Sequence, residues 1–255
     1  MTADAALLTT LLVPVGLVLL GAGLVREVAR DGYGVRPGPR SHLGLAADEA
    51  GAGLALPDRR AALRGGRLVA GLLLYGAAIA LIVRAHLGVG PWDVLAQGLA
   101  ALTRLPFGVV TNGIGALLLL AWWPLRQRPG IGTLLNVLLV GTAAQAVLDV
   151  LAPAEGLVPR VALLAAGMVL LAIATGVYVG AGLGAGPRDG LMLGLHRRLG
   201  WPVWLARAAV EGSALLAGWL LGGNVGVGTV VFAAGIGPLC GLTIRLLAPA
   251  QLHRP

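Results

Sequence analysis

Two aspartates in this chain sit in the same local setting. Asp93 closes Leu87-Gly88-Val89-Gly90-Pro91-Trp92-Asp93, and Asp189 closes Leu183-Gly184-Ala185-Gly186-Pro187-Arg188-Asp189. Proline at the first helical position loses no useful hydrogen bond, so Pro91 and Pro187 each read as a helix start. The aspartates then fall at the third helical position, beside free backbone N–H groups and the positive end of the helix dipole. The bland reading is a helix start. The functional reading is a pair of half-helix ends facing a central site, with Gly88, Gly90, Gly184 and Gly186 as the bends. Two intramembrane carboxylates there would bind a cation or carry a proton, whereas a helix start without its aspartate would favour an anion. The sequence leaves that sign open.

A second candidate is Arg207 with Glu211, four residues apart and so on one helix face. A lone charge at mid-bilayer costs roughly 2.5 to 3.5 kcal/mol, so such charges pair or line a cavity. The alternative is that Arg207 reaches the cytoplasmic interface and Glu211 answers it. Thr133 and Thr229, each following a glycine at a helix start, read as packing or cap residues or as ligands. Asn136, Thr142 and Gln145 add polar atoms along one helix, either joining helices or lining a path. The substrate- or ion-binding candidates are therefore Asp93, Asp189, Arg207, Glu211, Thr133, Thr229 and Asn136.

Other chemistry finds little support. The four histidines are scattered, and Cys240 is the one cysteine, so no metal-ligand spacing occurs and no metal or cofactor is expected. Cys240 reads as a small packing residue. Gly88-x-Gly90 lacks the third glycine and the βαβ setting of a dinucleotide site. No nucleophile elbow, P-loop or metalloprotease pattern is present, and the chain does not read as an enzyme. The net charge of +8 comes from 19 arginines and no lysine. These arginines stand between apolar tracts, which indicates membrane topology rather than nucleic-acid binding.

The elements that must hold these residues are membrane helices. Apolar residues make up 57% of the chain and charged residues 12%, about half the share of a soluble domain. Mean hydropathy is +0.87. The chain also repeats itself: Pro91 and Pro187, Pro106 and Pro202, Trp123 and Trp219, Gly130-x-Gly132-Thr133 and Gly226-x-Gly228-Thr229, and Leu151-Ala152-Pro153 and Leu247-Ala248-Pro249 all stand 96 positions apart. The expected fold is an all-α polytopic membrane protein of two inverted three-helix repeats, 67–155 and 160–249, with one extra N-terminal transmembrane helix in 1–25. That first tract has no counterpart in the repeat, and a start codon set too early is the alternative. Residues 26–66 read as a flexible Arg-rich cytoplasmic linker and 250–255 as a cytoplasmic tail.

Each repeat reads as three spans: 68–84, 107–125 and 132–151, then 161–179, 203–221 and 228–247. A short apolar segment, 92–102 or 189–198, follows the first span of each. These segments are too short to cross and lie at the interface or re-enter. Three spans is an odd number, so the second copy must enter upside down. Arg126, Arg128, His196, Arg197, Arg198, Arg245 and Arg254 then fall inside, while Asp149 and Glu155 fall outside together with Arg160. Trp122, Trp123, Trp201, Trp204 and Trp219 read as an aromatic belt.

Leu87 to Leu95, Gly130-Ile131-Gly132-Thr133-Leu134-Leu135-Asn136 and Gly186-Pro187-Arg188-Asp189-Gly190-Leu191 resemble the YczE-like family of bacterial integral membrane proteins, related to the YitT group. The resemblance spans about residues 66 to 249. It implies a polytopic inner-membrane protein with a cytoplasmic C-terminus by the charge pattern, an Arg and a Glu at positions 207 and 211, and no established activity. The expected function is a small-molecule or ion transporter working by alternating access. The alternative is a membrane scaffold or accessory protein assisting a partner enzyme or complex. The partners expected are the lipid bilayer, an unidentified small solute, and a further copy or a partner protein, with no nucleic acid.

Overall fold

A computed structural model describes residues 59–127, 129–184 and 186–247. The expected N-terminal span, residues 26–58 of the linker and the tail from 250 lie outside the described residues. Among those described the chain is all helical: α1 (Arg59–Ala85), α2 (Pro91–Thr103), α3 (Phe107–Trp122), α4 (Ile131–Val150), α5 (Leu157–Val179), α6 (Pro187–Leu199), α7 (Val203–Leu220) and α8 (Val227–Leu247). Residues 59–66, expected as linker, already belong to α1. Ala61, Ala62, Leu63 and Arg64 are good helix formers, so the span's helix extends back into the basic tract.

The 96-residue period of the sequence is also a period of backbone conformation. Helices α2 and α6 start 96 positions apart, as do α3 and α7, and α4 and α8. The caps match: Gly90 has φ −65° and ψ 158°, and Gly186 has φ −61° and ψ 155°. Left-handed backbone recurs at His86 and Gly182, Gly88 and Gly184, Arg104 and Gly200, and Arg126 and Gly222. At Gly88 (φ 106°) and Gly184 (φ 132°) only glycine takes that conformation without strain, so these two turns depend on residue type.

Helices α1, α4, α5 and α8 are long and apolar enough to cross a membrane. Helices α2 and α3 meet at 115° and amount to one broken span or a re-entrant loop. The expected count of six spans in the repeats is therefore reached only in part. Helix α1 is the core, with 72% of its apolar window buried against 17% for α8. It packs on α5 and α4, with close approach at Gly71 to the Tyr178 backbone and at Gly76 to Val140 and Ala144. The outer helices expose Leu117, Leu120, Leu138, Leu216, Val230 and Leu246. Apolar faces of that extent suit acyl chains and not water.

The two halves exchange parts. Helix α2 of the first repeat packs on α7 of the second, and α6 packs on α3. The backbone repeats the exchange: Gly228 N–H donates to Leu87 carbonyl at 2.7 Å, and Gly132 N–H to Leu183 carbonyl at 2.9 Å. These bonds satisfy helix-start N–H groups that have no partner within their own helix. Two arginines on α1 then hold opposite helix ends. Arg84 donates to Leu148 carbonyl near the end of α4, and Arg67 donates to Leu247 carbonyl at the end of α8. Seventeen residues of helix separate them, about 25 Å.

Candidate functional site

The Gly-Pro-x-Asp turns of both repeats open on one cavity of about 500 Å³. Their positions follow from the exchange just described, which draws each turn toward the other repeat. Asp93, Asp189, Arg207, Glu211 and Asn136 line it, as do Gly90, Pro91, Gly186 and Pro187. Five of the seven binding candidates read from sequence thus converge on one space. Thr133 and Thr229 do not line it. Their hydroxyls accept hydrogen bonds from Gly130 and Gly226 N–H, each at 3.3 Å, and both threonines are buried in the exchanged turns. Gly88 and Gly184 pack against Thr229 and Thr133 respectively and set the turn shape.

The two aspartates are equivalent in position and different in surroundings. The Asp189 carboxylate lies beside Gly186 at the start of its own helix. A side chain at Gly186 would meet the Asp189 carboxylate, the Tyr178 hydroxyl and the Asn136 amide, so three polar groups gather there. At the equivalent Gly90 the neighbour is the ring of Phe232, since phenylalanine stands where the first repeat has Asn136. Asp93 is 4% exposed, and its Oδ1 has no hydrogen-bond partner among the described residues.

Arg207 and Glu211 form an ion pair on α7, Nε to Oε1 at 3.0 Å, with side chains 50% and 35% exposed. Their counterparts Thr111 and Gly115 line the same cavity. The charged pair therefore marks one wall and its neutral equivalents the other.

Sequence reasoning missed four residues. Arg188 places its guanidinium over the Trp92 ring, 5.3 Å from the centroid, a cation–π contact. Trp92 and Arg188 are equivalent positions, so the two turns touch each other through them. The break in repeat identity at that position was the available signal, as it was at Thr111 and Arg207. Tyr75 and Tyr178 line the cavity with rings edge to face, centroids 5.9 Å apart. They are not equivalent in the repeat, and nothing in the periodicity singles them out.

One smaller expectation is corrected. Trp122 is buried and donates its indole N–H to Pro187 carbonyl at 2.9 Å, so it belongs to the seam and not to the aromatic belt. Trp122 packs on Gly190, where the absent side chain leaves room. Trp123, Trp204 and Trp219 are exposed, as a belt requires. Cys240 packs against the core, as expected, and also lines the cavity. Thr142 and Gln145 join helices: Asn112 of α3 bonds Thr142 of α4 at 3.1 Å, and Gln145 accepts from Gly108 N–H at 3.0 Å.

Among the described residues no three His, Cys, Asp or Glu side chains group to hold a metal. The charged lining comprises three carboxylates, Asp93, Asp189 and Glu211, and two guanidiniums, Arg188 and Arg207. Its formal balance with all of them ionised is one negative charge.

A family model described as a family of unknown function, DUF6198, matches residues 63–245. A Haemophilus influenzae relative described as an uncharacterized protein is 38% identical over 181 residues, covering 71% of this chain and 83% of its own. The uncharacterized membrane protein YczE of Bacillus subtilis is 34% identical over 187 residues, covering 72% and 85%. No solved structure matches. The resemblance carried by the two glycine-rich motifs therefore holds.

Proposed function

The chain belongs to the DUF6198 family of unknown function, is YczE-like, and is an integral membrane protein; from that premise we propose that it is a small-molecule or ion transporter working by alternating access between two inverted repeats. The single observation that carries the reading is the shared cavity, into which both Gly-Pro-x-Asp turns and the Arg207–Glu211 pair project. A scaffold needs no polar cavity between its halves, whereas a transporter needs a solute site there.

The two arginines of α1 support inverted halves. The end of α4 meets one end of α1, and the end of α8 meets the other. Helices entering from the same side would bring both ends together. Tyr75 lies about midway between Arg67 and Arg84, roughly 12 Å along the helix from each, so the cavity it lines falls at mid-depth. The charge pattern then sets the α1 start and the C-terminus at the cytoplasmic face of the inner membrane.

In this mechanism α2 and α6 are the mobile short helices. Each is anchored to the opposite repeat, α2 on α7 and α6 on α3. A rocking of one half therefore moves a turn lining the other half's wall. Gly88 and Gly184 supply the backbone freedom, and the Trp92–Arg188 contact joins the two turns in the state described.

Reconstitution into proteoliposomes tests the proposal. A thermal-shift screen of metabolites and ions first selects a ligand, since binding to the folded form raises apparent stability. Uptake of that ligand should fall in Asp189→Asn and Glu211→Gln. Full uptake in both variants would remove these residues from the transport path.

A further inference from the structure

We propose that the central cavity takes a small organic monocation with N–H donors, a protonated primary amine with an apolar body, held through Asp93. This deepens the transport reading and rests on it for treating the cavity as a solute site.

The argument starts from which charges are already answered. Glu211 is paired with Arg207 at 3.0 Å. Asp189 lies beside Gly186 at the start of its own helix, with the Tyr178 hydroxyl and the Asn136 amide gathered at the same glycine. Arg188 lies on the face of Trp92, where its charge acts on both aspartates without forming an ion pair with either. Among the described residues no guanidinium comes within ion-pair distance of Asp93, and its Oδ1 is buried without a hydrogen-bond partner. An acceptor left so bears its full desolvation cost until a donor reaches it. The cavity is where that donor can arrive, because Asp93 lines it.

The walls choose among donors. Trp92 adjoins Asp93 in the chain, the Phe232 ring packs on Gly90 of the same turn, and Tyr75 and Ile236 line the same cavity. A bare metal cation needs several oxygen ligands, and this wall is mostly aromatic and aliphatic. About 500 Å³ is the size of a pocket for an organic ligand and far exceeds what one ion fills. Aromatic faces favour an organic cation. A quaternary ammonium would satisfy the rings and leave Oδ1 without a donor. An anion would meet a lining whose formal balance is negative. A primary ammonium with an alkyl or aryl body satisfies the carboxylate and the apolar walls together.

Cys240 is the chain's one cysteine and lines the same cavity, so it reports occupancy without engineering. Purified full-length protein in nanodiscs is alkylated with neutral N-ethylmaleimide in the presence of n-butylammonium, tetramethylammonium or butyrate at equal ionic strength. A ligand at ten times its Kd leaves about one cavity in eleven free, so saturating butylammonium should slow Cys240 alkylation about elevenfold. Tetramethylammonium should protect less, and butyrate not at all. Asp93→Asn should lose the butylammonium protection while its unliganded alkylation rate stays near wild type. Should that variant misfold, the contrast between amine and carboxylate on the wild type decides alone. Thermal shift on the same samples reads binding should Cys240 prove unreactive. Protection by butyrate in place of butylammonium would overturn the amine assignment and leave the transport reading standing. Protection by none of the three would also overturn it, and uptake in proteoliposomes then judges the transport reading separately.

Discussion

Replacing Glu211 by glutamine distinguishes a cavity wall from a lipid-facing pair, because the two placements predict very different costs. Arg207 and Glu211 sit at i and i+4 on α7, 3.0 Å apart, with side chains 50% and 35% exposed. A solvated helical pair contributes about 0.2 to 0.5 kcal/mol, and arginine preceding glutamate is the weaker order. Losing it in a watered cavity should change the unfolding constant about twofold. If the pair instead faced lipid, Glu211→Gln would leave a lone guanidinium at a cost of roughly 2.5 to 3.5 kcal/mol. The lower figure alone corresponds to about 70-fold in the unfolding constant. The assay is equilibrium unfolding in mixed micelles at rising dodecyl sulfate, followed by the fluorescence of the six tryptophans. The expected result is a near-unchanged midpoint together with reduced uptake. A shift of more than about 2 kcal/mol, with uptake intact, would refute the cavity placement and return the pair to a structural role.

Three further outcomes follow from the geometry. In a Cys240→Ser background, Arg126→Cys and Val225→Cys should react with an impermeant maleimide from opposite sides of the membrane; labelling from one side would end the inverted reading. Trp122→Phe removes the donor to Pro187 carbonyl and should cost about 1 to 3 kcal/mol in the same unfolding titration, whereas Trp123→Phe, on an exposed ring, should cost under about 0.5 kcal/mol. His86, an exposed residue in the turn after α1, has its pKa held below the usual 6.5 by partial desolvation and then by Arg160 and Arg84. The unfolded chain therefore takes up a proton near pH 6.5 before the folded one does, so stability should fall as pH drops through 6.5 toward the lower folded value. His86→Asn, which tolerates the left-handed backbone there, should flatten that part of the stability–pH curve.

Much of the site was legible in the linear chain because repeat identity and local chemistry coincide there. Asp93 and Asp189 were found by motif, and Arg207 and Glu211 by charge in an apolar tract and by broken symmetry. All four line the cavity. Thr133 and Thr229 looked the same by motif, yet their hydroxyls turn to the neighbouring glycine N–H and stay away from the cavity. That bond is a local cap closed within three residues, one of the two alternatives the motif offers. Trp122 was illegible for a different reason: its indole lies within reach of Pro187, 65 positions further on.

Composition and period alone determined that this is a helical membrane chain built twice over, because apolar tract length and turn chemistry are local properties. The 96-residue spacing carried over to caps and left-handed turns without adjustment. Tertiary structure decided what the two copies do to each other. The exchange of α2 and α6, the clamps from Arg67 and Arg84, and the contact of Trp92 with Arg188 all join residues far apart in the chain. It also made two equivalent aspartates unequal, one with polar neighbours gathered at its helix start and one buried with an oxygen unanswered. No local pattern encodes that difference, because it arises from Phe232 and Asn136 standing at equivalent places across the seam.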